Sequence, residues 1–232
     1  MKNDIIKIGI PSKGRLKNDT INVFNKRKLK IYLERGERDL FGYIKKLRNV
    51  KIIYLHAREC IDQLSLGNID LAFSGYDLFK ESEINIQKKI LINNKYDFGN
   101  ANLVLAIPDL WIDVVTLLDL DEVADEFKKK KKRLLRVATK YPNLTREFLY
   151  SKGVTQFQLV KSLGSTEVAP FTGTAEIISD ITSTGATLKA NNLRILKDGE
   201  ILKSQACLMQ SKMSNGKKGI KKLINLLKND ME

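Results

Sequence analysis

The chain has 232 residues, 43% of them hydrophobic, enough for one large or two modest domains, each with its own core. Its formal net charge of +14 and pI near 9.6 suit a polyanionic ligand or a nucleic acid, although much of the excess lies in Lys128 to Arg133 and the lysine-rich end, where a solvated basic face is the simpler reading. No apolar run approaches membrane-spanning length and the first residues lack the apolar run of a secretion signal, so a cytoplasmic protein is expected; Cys60, Cys207 and the single histidine, His56, lack metal-ligand spacing, so a metal held wholly by protein is not expected.

Lys7 to Ile10 reads as a first strand, and the basic loop Pro11-Ser12-Lys13-Gly14-Arg15 leads into an amphipathic helix around Asp19 to Lys26. Such a loop is a candidate anion site, with Lys13 a point charge and Arg15 able to grip phosphate through two donors. Tyr32, Arg35 and Arg38 follow a second short apolar segment, and surface charge is the plainer reading of both arginines. Ile52 to Leu55 and Ile69 to Ser74 read as strands around a helix at Ile61 to Leu66, an alternation that favours a parallel sheet flanked by helices. Gly75 and Asp77 then sit at the strand end where open α/β sheets bind ligands, and Asp77 reads equally well as a helix cap.

Composition shifts near Gly99, a candidate domain boundary. Asn102 to Ile107 reads as a strand stopped by Pro108, helical segments occupy Val114 to Lys131, and the lysine run is a charged helix end or loop. A strand beginning at Arg136 enters a loop at Thr139, Lys140 and Tyr141, and Thr145 to Lys152 continues as a helix. Gly164 to Pro170, which includes Glu167, has the form of a helix start capped by Ser165 or Thr166. Leu193 to Leu196 and Ile201 to Gln210 read as a hairpin around Asp198-Gly199, and an amphipathic helix spans Gly219 to Lys228.

The most informative stretch is Glu176 to Leu188. Ile177, Ile178 and Ile181 form a β-branched run followed by Thr182, Ser183, Thr184, Gly185, Ala186 and Thr187: a strand, a turn and a helix start. Gly185 tolerates turn angles that strain other residues, and the amides of residues 184 to 188 would point outward at a helix N-terminus, which suits a phosphate. Glu176 and Asp180 are four apart, so an extended chain puts both carboxylates on one side. A carboxylate beside a phosphate cradle suits a phosphorylated ribose, the acid accepting from the 2′- and 3′-hydroxyls. A strand-turn-helix corner with solvated hydroxyls is the plainer alternative.

Read together, these segments resemble the ATP phosphoribosyltransferase family. The carrying motifs are Gly14-Arg15-Leu16, Gly67 to Asp70 through Gly75-Tyr76-Asp77, Arg136 to Leu144, Gly164 to Pro170, and Asp180 to Leu188 with Asn191 to Arg194. The match is poorer from His56 to Ile61, where Glu59, Cys60 and Ile61 end the family's usual Arg-x-x-Asp-Ile-Pro pattern, and no role is carried over there.

The resemblance implies a two-domain α/β architecture of the periplasmic-binding-protein type (type II) with a ligand cleft between domains: residues 1–99 plus 204–232 in the first, 100–203 in the second. It implies the first step of histidine biosynthesis, in which phosphoribosyl pyrophosphate and ATP give phosphoribosyl-ATP and pyrophosphate, with Mg²⁺ carried by the substrate phosphates. Asp180, Lys13 and Arg15 take catalytic positions. Glu176, Ser183, Thr184, Gly185, Ala186, Thr187, Arg38, Gly75, Asp77, Lys140, Tyr141 and Glu167 become substrate contacts. The chain resembles the family's short catalytic form, which implies a histidyl-tRNA-synthetase-like regulatory subunit and a homodimer within a hetero-oligomer. A non-catalytic small-anion or nucleotide-binding protein of the same fold is the alternative.

Overall fold

A computed structural model describes residues 5–33, 36 and 39–228. Contacts divide the chain into two units, residues 1–100 with 205–232 and residues 101–204.

The first unit begins with β1 (Ile6–Pro11), α1 (Arg15–Lys26), β2 (Ile31–Leu33), β3 (Phe41–Ile44), β4 (Leu47–Leu55), α2 (Ala57–Ser65), β5 (Leu71–Gly75), α3 (Tyr76–Glu81), α4 (Ile84–Gln87) and β6 (Ile90–Lys95). The chain then builds the second unit from β7 (Ala101–Pro108), α5 (Leu117–Lys131), β8 (Leu135–Thr139), α6 (Pro142–Ser151), β9 (Phe157–Lys161), β10 (Ile177–Thr182), α7 (Ala186–Ala190) and β11 (Leu193–Ser204). It returns to the first unit with β12 (Ala206–Ser211) and α8 (Ile220–Leu227).

In the first unit the sheet order is β2-β3-β4-β1-β5-β12-β6, with β1 parallel to both β4 and β5. Its central strands are apolar on both faces because both are covered. Ile8 and Ile10 pack with Phe24 of α1 and Leu223 and Leu227 of α8, while Ala72 and Met209 pack with Cys60, Ile61 and Leu64 of α2. A buried carboxylate ties the end of the chain to the start: Asp70 accepts from the Lys7 amide (2.8 Å), the Ser214 hydroxyl (2.6 Å) and Lys217 Nζ (2.8 Å).

In the second unit the order is β11-β7-β10-β8-β9, with β8, β9 and β10 parallel. Leu105, Val137 and Ile177 meet Leu117 and Leu120 of α5 and Leu149 of α6 on one face. On the other, small residues such as Ala106, Ala138 and Ala169 let Leu188 of α7 approach the sheet. A five-residue helix cannot hold itself in water, and burial of Leu188, about 2 kcal/mol for such a side chain, pins it.

Three expectations change. Tyr32 belongs to the short strand β2, which pairs antiparallel with β3, and β3 pairs antiparallel with β4, so the two extend the first sheet beyond β4, which itself starts at Leu47. The Asp198-Gly199 turn is not a hairpin: residues on both sides pair with β7, as in Ile195 with Ala106 and Glu200 with Val104, and the dipeptide forms an irregularity within one strand. There Asp198 Oδ1 accepts from the first helical amide of α5, Leu117 N, at 2.9 Å, giving the dipeptide a capping task. Finally, Gly164 to Pro170 forms only a 3-10 turn, Thr166–Val168; Ser165 makes no capping bond, and the Thr166 hydroxyl donates to Ser162 Oγ at 3.0 Å.

Candidate active site

In the second unit, the parallel strands β8, β9 and β10 send their C-terminal ends to one edge of the sheet. Register pairs Thr139 with both Ser179 and Lys161, so the residues just beyond, Lys140, Ser162 and Asp180, emerge together. Open α/β sheets bind ligands at this edge.

Asp180 is buried, and its carboxyl accepts from the Ile181 amide at 2.8 Å. Burial raises its pKa above the ordinary 3.8; the Ile181 amide, the Lys140 ammonium and the Thr166 hydroxyl pull the other way, and Glu167 pushes it up again. Lys140 and Glu167, like Asp180 singled out from sequence, therefore both act on Asp180 at this edge. Tyr141 is buried, and its amide donates to Thr139 Oγ1 at 2.9 Å. Behind it lies a buried hydroxyl network in which Thr145 Oγ1 donates to Ser179 Oγ at 2.8 Å and lies 3.3 Å from Thr139 Oγ1. This network, with Thr166, has no signal in spacing, because each hydroxyl is recruited from a different strand or helix.

After β10 the chain turns as expected. Gly185 takes φ +74° and would have open space around a side chain, so backbone angle alone explains the glycine. Ser183, Thr184, Ala186 and Thr187 are exposed around it. The Thr182 hydroxyl accepts from the Gly185 amide at 2.9 Å and the Thr184 hydroxyl from the Ala186 amide at 3.3 Å. Two of the amides expected to face outward are thus held within the turn, while those of Thr187 and Leu188 begin a helix and lack intrahelical acceptors.

Glu176 requires a correction. It precedes β10 and Asp180 lies near the other end, about 13 Å along an extended chain, so a shared side does not mean a shared site. Glu176 accepts from Arg133 through both carboxylate oxygens at 3.0 Å, from Arg136 Nη2 at 2.6 Å and from the Arg136 amide at 2.8 Å. Burial works to raise its pKa, but the Arg136 and Arg133 hydrogen bonds and the Arg136 charge outweigh that and hold it at about 2. Its bonding capacity is spent on the fold, far from the hydroxyl turn.

In the first unit, β1, β4 and β5 also end at one edge. Lys13 and Arg15 are exposed on either side of Gly14, whose φ of +78° needs a glycine at the start of α1. Gly75 ends β5 and occupies the N-cap position of α3, with Asp77 buried in the first turn; the cap itself is therefore not Asp77. A Cβ on Gly75 would lie 2.2 Å from Asp77 Oδ1, so glycine lets that carboxylate fold back over the strand end. Arg38 lies outside the described residues.

The fold defines a class first. This chain superposes on a mutant of ArgBP from Thermotoga maritima with a TM-score of 0.53 over 97% of this chain and 86% of that one, at 13% identity, a likeness of fold alone. A closer structural likeness is to the ATP phosphoribosyl transferase (HisG:HisZ) complex of T. maritima, with TM-score 0.72, 25% identity and 96% of both chains covered. The sequence profile of ATP phosphoribosyltransferase matches residues 56–230. Curated relatives of that name are 46% identical over 95% of this chain and 68% of the relative in Nitrobacter winogradskyi, and 44% identical over 90% of both in Mesorhizobium japonicum. The chain belongs to the ATP phosphoribosyltransferase family, and the expected fold class, transferase activity and place in histidine biosynthesis are borne out.

Proposed function

We propose that this chain transfers phosphoribosyl from phosphoribosyl pyrophosphate to N1 of ATP, with Asp180 and the turn at residues 183–187 holding the phosphoribosyl group. The observation that carries this reading is a buried carboxylate with a raised pKa, acted on by Lys140 and Glu167, at the mouth of a hydroxyl-rich turn. Asp180 accepts from the ribose hydroxyls, and Ser183, Thr184 and Thr187 with the amides of Thr187 and Leu188 bind the 5′-phosphate. In the second unit Lys140 and Tyr141 meet ATP or pyrophosphate; in the first unit Lys13, Arg15, Gly75 and Asp77 are the candidate substrate contacts.

No side-chain nucleophile is required. Adenine N1 attacks C1 of the ribose as the bond to pyrophosphate breaks, and both electron pairs belong to the substrates. The protein's part is to align two large anions and stabilise charge as it moves onto the leaving group. Mg²⁺ brought by the substrates would supply charge neutralisation for the leaving pyrophosphate. One buried and one half-buried carboxylate, Asp180 and Glu167, fit an ion that brings most of its ligands with it.

The likeness to the HisG:HisZ complex of T. maritima supports a HisZ-like regulatory partner for this chain; that this partner is of the histidyl-tRNA-synthetase type and that the catalytic chain forms a homodimer within the assembly are part of the proposal. Low activity alone and stimulation by that partner are expected. Among the described residues no helix is long and apolar enough to cross a membrane; the cytoplasmic location is part of the proposal. Calorimetric titration with phosphoribosyl pyrophosphate and Mg²⁺ tests the reading. Binding lost in Asp180→Asn supports it, and equal affinity in that variant removes Asp180 from the site.

A further inference from the structure

A cavity of about 410 Å³ opens in the first unit between the edge strand β6, the end of β12 and α8. It lies away from the ligand-binding edge of that unit. Strand β12 runs antiparallel to β5, so Ala206 stands beside Gly75 at that edge, and Gln210 beside Leu71, four residues or about 13 Å along the strand. The volume is that of a small-molecule site.

Carboxamides form one wall. The register of β6 slips by one residue, with Leu208 pairing with Asn94 and Met209 with Ile92, which leaves Asn93 as a bulge at the sheet edge. Asn93 Nδ2 donates to Gln210 Oε1 at 3.1 Å, and Gln210 Nε2 donates to Asn215 Oδ1 at 3.0 Å. Gln210 is buried at the centre of this chain of amides. The chain has a direction: an acceptor, Asn93 Oδ1, is left over at one end and a donor, Asn215 Nδ2, at the other.

Helix α8 supplies the opposite wall. Lys221, Ile224, Asn225 and Lys228 are spaced i, i+3, i+4 and i+7, so one stripe of the helix and its cap brings two ammonium groups, an amide and an apolar floor to the cavity. Neither residues 84–96 nor residues 201–229 contain an aspartate or glutamate, so the segments that build the cavity contribute only positive charge. Both walls are held from behind. Beside Asn215, the Ser214 hydroxyl donates to Asp70 at 2.6 Å; at the end of α8, Arg27 Nε donates to the Leu226 carbonyl at 2.6 Å and the Tyr96 hydroxyl to that of Leu227 at 2.7 Å. Donors fixed in advance bind with little further ordering cost.

We propose that this cavity binds a small oxyanion carried on a hydroxylated body, the chemistry of a polyol or sugar phosphate. Lys221 and Lys228 hold the anion as point charges on adjustable stems. The amides of Asn93, Asn215 and Asn225, able to donate and to accept, pair with the hydroxyls, and Ile224 covers the carbon face. The site is separate from the phosphoribosyl turn, which belongs to the other unit.

The test follows the side-chain amide resonances of Asn93, Gln210 and Asn215 by heteronuclear NMR of the full chain. The probes are glycerol phosphate, inorganic phosphate and sodium chloride at matched ionic strength. Glycerol phosphate at about 10 mM, enough to fill most of a millimolar site, should give saturable shifts. Inorganic phosphate should bind about tenfold more weakly, because it leaves the amides without hydroxyl partners. Lys221→Gln with Lys228→Gln should weaken glycerol phosphate about tenfold, with melting temperature and affinity for phosphoribosyl pyrophosphate unchanged. Asn215→Leu should do the same through the lost donor. Absent shifts, or shifts reproduced by chloride, overturn the site. Equal affinity for the two phosphates overturns the hydroxylated ligand. Binding that survives in the double lysine variant but is lost in Asp180→Asn belongs to the second unit and overturns the proposal.

Discussion

Glu176 and Asp180 share one extended segment and have opposite electrostatic fates. Glu176 sits in a double arginine fork with its pKa lowered to about 2, and Asp180 is buried at the ligand-binding edge with its pKa raised. The first carboxylate is committed to the fold, and the second is held ready for a ligand. Substituting each in turn separates stability from binding.

Asp180→Asn should weaken phosphoribosyl pyrophosphate at least tenfold while raising the melting temperature of the ligand-free chain. A carboxyl raised in the folded state binds its proton more tightly there than in the unfolded chain. Its contribution to stability is complete below the ordinary 3.8 and is lost as pH rises through the raised value. At neutral pH the charged group therefore opposes folding, and the amide removes that opposition. Paired calorimetric titration and thermal melts check both halves.

Glu176→Gln should show the reverse pattern. A carboxyl lowered from 4.5 to about 2 contributes stability that is present above 4.5 and lost as pH falls toward 2. The amide should cost about 2–3 kcal/mol at neutral pH, near the low end for a broken buried ion pair because Arg133 and Arg136 retain some solvent. Urea melts across that acid range should show a flatter pH dependence than wild type, with substrate affinity of the folded fraction unchanged.

Asp70→Asn should destabilise the first unit by about 3 kcal/mol, since it leaves Lys217 beside a neutral group and weakens the bonds from Ser214 and Lys7. Hydrogen exchange should rise first in residues 211–217, which this carboxylate ties to the start of the chain. A uniform rise across both units would contradict that local role.

Gly75→Ala tests the first unit's edge. Its Cβ would displace the Asp77 carboxylate, which lies 2.2 Å from the position it would occupy, while the strand itself can stay in place. A loss in kcat/KM of about tenfold with a small change in melting temperature is expected if Asp77 meets substrate; each factor of ten corresponds to about 1.4 kcal/mol in transition-state binding. Equal losses of stability and activity would make the contact structural.

Local sequence determined a good deal of this protein. Apolar runs marked β5 and β7, and the β-branched residues Ile6, Ile8 and Ile10 of β1 and Ile177, Ile178 and Ile181 of β10 marked those strands, because central strands covered on both faces are rich in such side chains. The 3.6-residue period of Ile220, Leu223, Ile224 and Leu227 marked α8. Gly185 marked its turn because its backbone angle is a local property. Partners across the sheet are not local, and there only the tertiary structure decided. Spacing put Glu176 and Asp180 on one side of a strand without revealing that arginines from β8 and the segment before it had claimed Glu176. The Asp198-Gly199 pair carries a hairpin signature, yet β7 accepts both flanks and the α5 amide takes the aspartate, interactions worth more than the turn preference. Asp180, Lys140 and Glu167 lie far apart in sequence and act together because parallel register carries three strand ends to one edge.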